Sequence, residues 1–320
     1  MINTFLIDNC TYNGCNKQCS YCRPQFIGKG NKNFVSESIS ILSTSVKPEI
    51  IKISGYGELT FMPGWKEKIV DLDYSFKRVQ LITNGTILNN KDLDFLKDHE
   101  VYLCFSLDGV TFKSNSARNS SSAELRKIME NIVYASSIDI PLEINTVLTK
   151  SNINDLERLL DFVDKVNGVC YPFPIRENRL YGSGKNMFPL KKDIETNLMD
   201  LKQKHPHSTP PIQYIESLMD FMLESKRSIC YVPLNVLGVS PEGDLLKCPC
   251  SGTRVLANIF EKEGFEKFNS SKSIGGYDPE CKDCFTHYEV INLFIDGKIS
   301  AEEMNHLPLF ENLDISKLKK

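Results

Sequence analysis

Cys15-Asn16-Lys17-Gln18-Cys19-Ser20-Tyr21-Cys22 places three cysteines, four and three residues apart, just after a short apolar segment. Thiolate sulfur is a soft ligand that selects zinc, copper(I) or iron–sulfur clusters over magnesium or calcium. A zinc site wants a fourth ligand close by, usually from a second paired motif. The nearest other cysteine is Cys10 and the first histidine is His99, so no such partner stands beside the loop. Three thiolates on a four-iron cluster leave one iron without a protein ligand, open to a small molecule. The competing expectation is a zinc knuckle that borrows a distant fourth ligand.

Outward from this loop the chain alternates. Strand-like runs at 2–7, 50–54, 79–83, 101–107, 142–148 and 169–173 are apolar and mostly close on glycine or polar residues. Val35, Ile39, Leu42 and Val46 recur at helical spacing, and Pro63-Gly64 marks the start of a helix over 65–72. Further helical patterns cover 91–97, 123–135 and 154–166, the last with Asn152 or Ser151 as its N-cap. Such alternation predicts a parallel sheet with right-handed crossovers. An α/β barrel or part of one would carry its site at the strands' C-terminal ends. Periodicity alone does not separate that from a doubly wound sheet. Pro189, Pro206, Pro210 and Pro211 interrupt the alternation over 176–228, where helical patterns remain at 191–204 and 212–225. Arg176, Arg179, Lys185, Lys191 and Lys192 make its first part basic, which reads as a solvated face.

The C-x3-C-x2-C spacing, with aromatic Tyr21 before the last cysteine, resembles the motif of the radical S-adenosylmethionine (SAM) enzymes. That resemblance implies Cys15, Cys19 and Cys22 as ligands of a 4Fe-4S cluster whose open iron is chelated by SAM. It implies cleavage of SAM to a 5′-deoxyadenosyl radical that abstracts a substrate hydrogen atom. It also implies the fold, a partial (β/α)6 TIM-type barrel. Gly55-Tyr56-Gly57-Glu58 is similar to the family's Gly-Gly-Glu motif, with Tyr56 in place of the second glycine, and assigns Gly57 and Glu58 to the SAM amino group. Thr83-Asn84-Gly85 and Ser106-Leu107-Asp108-Gly109 resemble the strand ends that flank the cofactor, which brings in Asn84 and Ser106. Arg118 matches the arginine placed on the SAM carboxylate, and Asn145 would face the ribose. Taken singly, Asn84-Gly85 and Asp108-Gly109 are also ordinary turn pairs.

Cys230, Cys248, Cys250, Cys281 and Cys284 form a second set. Ser240-Pro241-Glu242-Gly243 has the proline and glycine positions of a type I turn, so a hairpin would bring Cys248 back beside the strand after Cys230. The pattern resembles the twitch region, the shortened relative of the SPASM extension of these enzymes. It implies one auxiliary 4Fe-4S cluster held by Cys230, Cys248, Cys281 and Cys284, so two 4Fe-4S clusters in all. The full extension needs three further cysteines after Cys284, and 285–320 has none. A zinc ribbon on the same thiolates is the alternative. Cys250 is left over as a candidate hydrogen-atom donor, on Cys248's face if the chain stays extended, or else a ligand or packing residue. Cys104 and Cys170 read as core, Cys10 as a residue near the loop, and His287 and His306 as surface or satisfied core histidines. Residues 295–320 resemble nothing with a role, though a helix there would pack onto the barrel.

The expected organisation is therefore a barrel at 1–175, a helical connector at 176–229, an auxiliary-cluster domain at 230–294 and a tail. With 38 Lys+Arg against 41 Asp+Glu, the net charge of -3 offers no basic field for nucleic acid. No run approaches the roughly 18 apolar residues of a membrane span, and no signal peptide is legible, so the expected setting is cytoplasmic. Eleven cysteines in such a chain read as metal ligands rather than disulfides. The expected activity is hydrogen abstraction from a sugar- or cyclitol-like small molecule, giving oxidation or epimerisation, with flavodoxin or ferredoxin as electron donor. A peptide maturase is the first alternative, and a non-catalytic zinc-binding module the second. Only fourteen residues precede Cys15, an expectation against the maturases that carry a leader-binding domain there.

Overall fold

The computed structural model describes residues 4–9, 14–22, 34–46, 48–54, 57–175, 187–240, 242–249, 251–275, 281 and 284–319. The barrel half runs β1 (Leu6–Asn9), α1 (Phe34–Ser45), β2 (Ile50–Ile53), α2 (Trp65–Ser75), β3 (Val79–Thr83), α3 (Asn90–Asp98), β4 (Tyr102–Ser106), α4 (Ser122–Ser137), β5 (Leu142–Leu148), α5 (Leu156–Lys165) and β6 (Val169–Pro174). There follow α6 (Lys191–Lys204), α7 (Ile212–Glu224), α8 (Val232–Asn235), β7 (Val236–Val239), β8 (Asp244–Cys248), β9 (Ser251–Asn258), α9 (Gly264–Ser270), α10 (Glu289–Ile295) and α11 (Ala301–Asn305).

One sheet holds all nine strands in the order β6-β5-β4-β3-β2-β1-β7-β8-β9. The first six are parallel and buried, which is why they read as apolar runs rather than alternating ones. β1 pairs on both sides, Leu6 with Ile50 of β2 and Leu6 with Val236 of β7, so the C-terminal strands extend the barrel sheet. β7, β8 and β9 form the antiparallel hairpins. The turn after β7 closes by Gly243 N–H donating to Ser240 O at 3.1 Å. The sheet does not close on itself. Its edges are β6 and β9, and the segment 284–295 packs between β6 and the β1–β2 pair. Tyr171 of β6 meets His287 at 6.4 Å between ring centroids, and Tyr214 of α7 meets Phe285 at 5.3 Å.

The tail covers the opposite end, at the strands' N-termini. Arg78 Nη1 donates to Leu309 O at 2.9 Å, Phe5 stacks on Phe310 at 6.2 Å, and Glu49 pairs with both Lys77 and Lys317. Leu309, Phe310 and Leu313 are buried there.

Several local expectations change. β1 begins at Leu6, with residues 1–3 outside the described set. Asn152 does not cap α5: its Nδ2 donates to Asp108 O and Val147 O, so it ties two strand ends instead. β9 was not legible, because Ser251-Gly252-Thr253-Arg254 carries no alternation. Gly55, Tyr56, Arg176, Arg179, Lys185, Cys10, Pro241 and Cys250 lie outside the described residues.

Candidate active site and second cysteine cavity

The three-cysteine loop is built by stitching it to the loops after β2, β3 and β4. From β2, Glu58 N–H donates to Gly14 O at 2.8 Å. From β3, Asn84 Nδ2 donates to Asn16 Oδ1 at 2.9 Å and lies 3.8 Å from Cys15 Sγ, while Asn16 Nδ2 donates to Thr86 Oγ1 at 2.8 Å. Gly85 sits at φ +70°, and a Cβ there would lie 2.8 Å from Phe105 Cδ1, so this turn needs glycine. From β4, the 3-10 turn Ser116–Arg118 receives Ser20 N–H on Ala117 O at 2.8 Å and Cys19 Sγ on Arg118 O at 3.7 Å. Lys17 is buried, with Nζ on Asn119 O at 3.0 Å and Glu124 Oε1 at 3.1 Å. Glu124 also closes the Ser121 capping box that starts α4, so the helix cap and the cysteine loop share one carboxylate.

Tyr21 is the second anchor. Its hydroxyl donates to Asp108 Oδ2 at 2.7 Å and accepts from Arg118 Nη1 at 2.8 Å. Asp108 Oδ1 accepts Val147 N–H at 3.1 Å, which locks β4 to β5. Burial pushes the Tyr21 phenol well above its ordinary value, so it keeps its proton and donates. Burial likewise raises the Asp108 carboxyl. Arg118, buried beside this pair, is turned toward Tyr21 and Asp108.

Glu58 is 2% exposed. Its Oε1 accepts from Thr60 at 2.7 Å and Thr83 at 2.8 Å, and its Oε2 accepts from Asn84 N–H at 2.6 Å. Burial raises its pKa, and those hydrogen bonds oppose the rise. The carboxylate thus holds the ends of β2 and β3 together. Ser106, at the end of β4, stands opposite Asn145, in the middle of β5 and buried. Gly57 lies at the same end, beside Glu58.

At the other site Cys230, Cys248, Cys281 and Cys284 line one cavity of about 60 Å³. All four are half-buried. Gly275 N–H donates to Cys230 O at 2.8 Å, and a Cβ on Gly275 would lie 2.9 Å from Pro233 Cγ and 3.3 Å from Cys230 Cβ. Arg227 Nη1 donates to Cys281 O. Among the described residues, no three His, Cys, Asp or Glu side chains group tightly enough for a single metal ion. β8 ends at Cys248 and β9 starts at Ser251, and the two pair directly. Cys250, between them, lies outside the described residues.

Cys104 and Cys170 are core residues. Burial raises both thiols, Cys170 to about 12. His306 is exposed and bonds its own helix at Glu302 O. His287, expected at the surface or as a satisfied core residue, reaches into the barrel, its Nε2 2.6 Å from Lys52 Nζ. Nothing local in the sequence signals a contact between residues so far apart.

Residues 9–163 match the Radical SAM superfamily domain. An uncharacterized protein of Methanocaldococcus jannaschii is 25% identical over 84% of this chain and 93% of its own length. A cysteine-type anaerobic sulfatase-maturating enzyme of Clostridium novyi is 25% identical over 84% of this chain and 82% of its own. Streptococcus suis SuiB bound to precursor peptide SuiA has the same fold, with a TM-score of 0.65 at 13% identity over 98% of this chain and 75% of that one. The partial barrel, the cysteine loop across its strand ends and the second cysteine cavity agree with these likenesses: the chain carries a radical SAM domain, whose cofactors are SAM and a 4Fe-4S cluster, and shares the SuiB fold beyond that domain.

Proposed function

We propose that the enzyme is a peptide maturase, abstracting a hydrogen atom from a peptide or protein substrate. The observation that carries this is the likeness to the sulfatase-maturating enzyme, which extends over 84% of the chain and so well beyond the radical SAM domain. The peptide-bound SuiB fold over nearly the whole chain supports it. These relatives favour the peptide alternative over the sugar or cyclitol substrate expected from the sequence.

In this reading Cys15, Cys19 and Cys22 hold the SAM-binding cluster, and Cys230, Cys248, Cys281 and Cys284 the auxiliary one. The donor sets fit: both are half-buried cysteines, three in one loop and four around one cavity. A cluster held by Cys15, Cys19 and Cys22 would supply the electron for SAM cleavage, with an external donor such as flavodoxin or ferredoxin to replenish it. The chain's own groups position the reaction. Asn84, Asn16 and Lys17 hold the loop. Gly57 and the backbone beside Glu58 form the edge for the SAM amino group, while the Glu58 carboxylate keeps that edge in place. Arg118 acts through Tyr21 and Asp108, and Ser106 and Asn145 offer polar groups toward the ribose.

The test offers perdeuterated peptide and perdeuterated sugar fractions of one bacterial lysate separately to anaerobically reconstituted enzyme. Deuterium in 5′-deoxyadenosine from the peptide fraction is the expected result. Deuterium from the sugar fraction alone would contradict the peptide reading.

A further inference from the structure

The segment between the second cysteine cavity and α10 is also the segment that packs between β6 and the β1–β2 pair. Four residues after Cys284, Tyr288 is 2% exposed and its hydroxyl donates to Asp8 Oδ2 at 2.5 Å. Ser54 donates to the other oxygen of the same carboxylate. One residue earlier, His287 accepts from Lys52, whose ammonium also lies 5.0 Å from the Tyr288 ring centroid. Asp8 and Lys52 are paired in register on β1 and β2, so two consecutive side chains of this segment grip two neighbouring strands at one level.

Those two strands lead straight to the SAM site. β1 ends at Asn9, and the chain runs from it into the Cys15 loop. Ser54 follows β2 and leads to Glu58, whose backbone N–H bonds Gly14 O beside Cys15. A hydrogen bond to a buried carboxylate is roughly twice as strong as a neutral one, and losing its donor leaves a desolvated charge short of partners. The contact is contiguous at both ends: Phe285, between Cys284 and Tyr288, is buried against Tyr214 and Phe221.

We propose that Tyr288, through Asp8, is a positioning residue that couples the auxiliary cysteine site to the SAM-binding loop. This rests on the assignment of the seven cysteines to two clusters. It makes the auxiliary site a determinant of SAM affinity, in addition to any part it has in the reaction.

The experiment compares four full-length, anaerobically reconstituted proteins: wild type, Cys281→Ala/Cys284→Ala, Tyr288→Phe, and the three changes together. Phenylalanine keeps the ring packing and removes only the hydroxyl. SAM affinity is read by calorimetry, iron by elemental analysis, and the SAM-induced change in the reduced N-terminal cluster by electron paramagnetic resonance. Removing either end should weaken SAM binding about fivefold to tenfold, with the combined variant no weaker than either alone, because both act on one coupled element. Asp8→Asn should match Tyr288→Phe in affinity and in spectrum. Effects that multiply in the combined variant, or wild-type affinity in Tyr288→Phe, would overturn the coupling. Should Cys281→Ala/Cys284→Ala keep all its iron, the two-cluster assignment fails instead. Halved iron with unchanged SAM affinity sinks the coupling alone.

Discussion

At Glu58 a buried carboxylate accepts from two hydroxyls and one backbone amide, and glutamine can match only part of that set. Its amide NH2 would face a donor, which costs about 1–3 kcal/mol for the group left unsatisfied. Glu58→Gln should therefore lower stability by about 1–3 kcal/mol and weaken SAM binding, with iron content unchanged. The pH dependence follows from the direction of its shift. Because the folded pKa is raised, the stability this carboxyl contributes is complete below the unfolded value of about 4.3 and is lost as pH rises through the folded value. The stability gap between wild type and Glu58→Gln should thus narrow as pH rises from about 4 toward neutrality, measured by urea unfolding. A gap that widens over that range would show that the hydrogen bonds, not burial, set the shift. The sequence led to Glu58 by the likeness of Gly55-Tyr56-Gly57-Glu58 to the family's Gly-Gly-Glu motif at a strand end. It could not show that the carboxylate would be taken up by Thr60, Thr83 and Asn84, since such partners are set by how two strand ends meet.

At the scale of elements, the parallel strands were legible because burial on both faces favours apolar, mostly branched side chains, as at Ile50, Ile51 and Ile53. The cysteine sets were legible because ligand chemistry dictates spacing. What stayed hidden depends on contacts between distant residues, such as Lys52 with His287 or Lys17 with Glu124. Asn152 looked like a cap because helix caps favour asparagine, yet it serves Asp108 and Val147. Cys250, the candidate hydrogen-atom donor two residues after Cys248, lies outside the described residues. If it is a packing residue, Cys250→Ser keeps its auxiliary iron and its product. Loss of solvent deuterium from product in deuterated water, with 5′-deoxyadenosine still formed, would establish the donor role and with it epimerisation. Loss of auxiliary iron would make Cys250 a ligand.

Across the whole molecule, the C-terminal half extends the barrel sheet rather than hanging from it. β7 continues the sheet at β1, the segment after Cys284 packs against β1, β2 and β6, and the tail covers the strands' N-terminal ends. Burial alone would raise the Glu49 pKa, but hydrogen bonds from Lys317 and Lys77 hold it below its ordinary value. Its contribution is therefore present above about pH 4.3 and is lost as pH falls through the folded pKa. Acidification should release the tail by about 1 kcal/mol in wild type and by less in Glu49→Gln, read as amide hydrogen exchange over 309–318. Equal pH dependence in both proteins would remove Glu49 as the anchor. The central claim is that seven cysteines hold two separate clusters, and iron counting tests it most directly. Wild-type protein reconstituted without oxygen should hold about eight irons per chain, four per cluster, and cleave SAM reductively. The Cys15→Ala/Cys19→Ala/Cys22→Ala variant should keep about four irons and cleave none. Stoichiometric zinc without iron, or a triple variant that retains either the full iron content or SAM cleavage, would contradict the account.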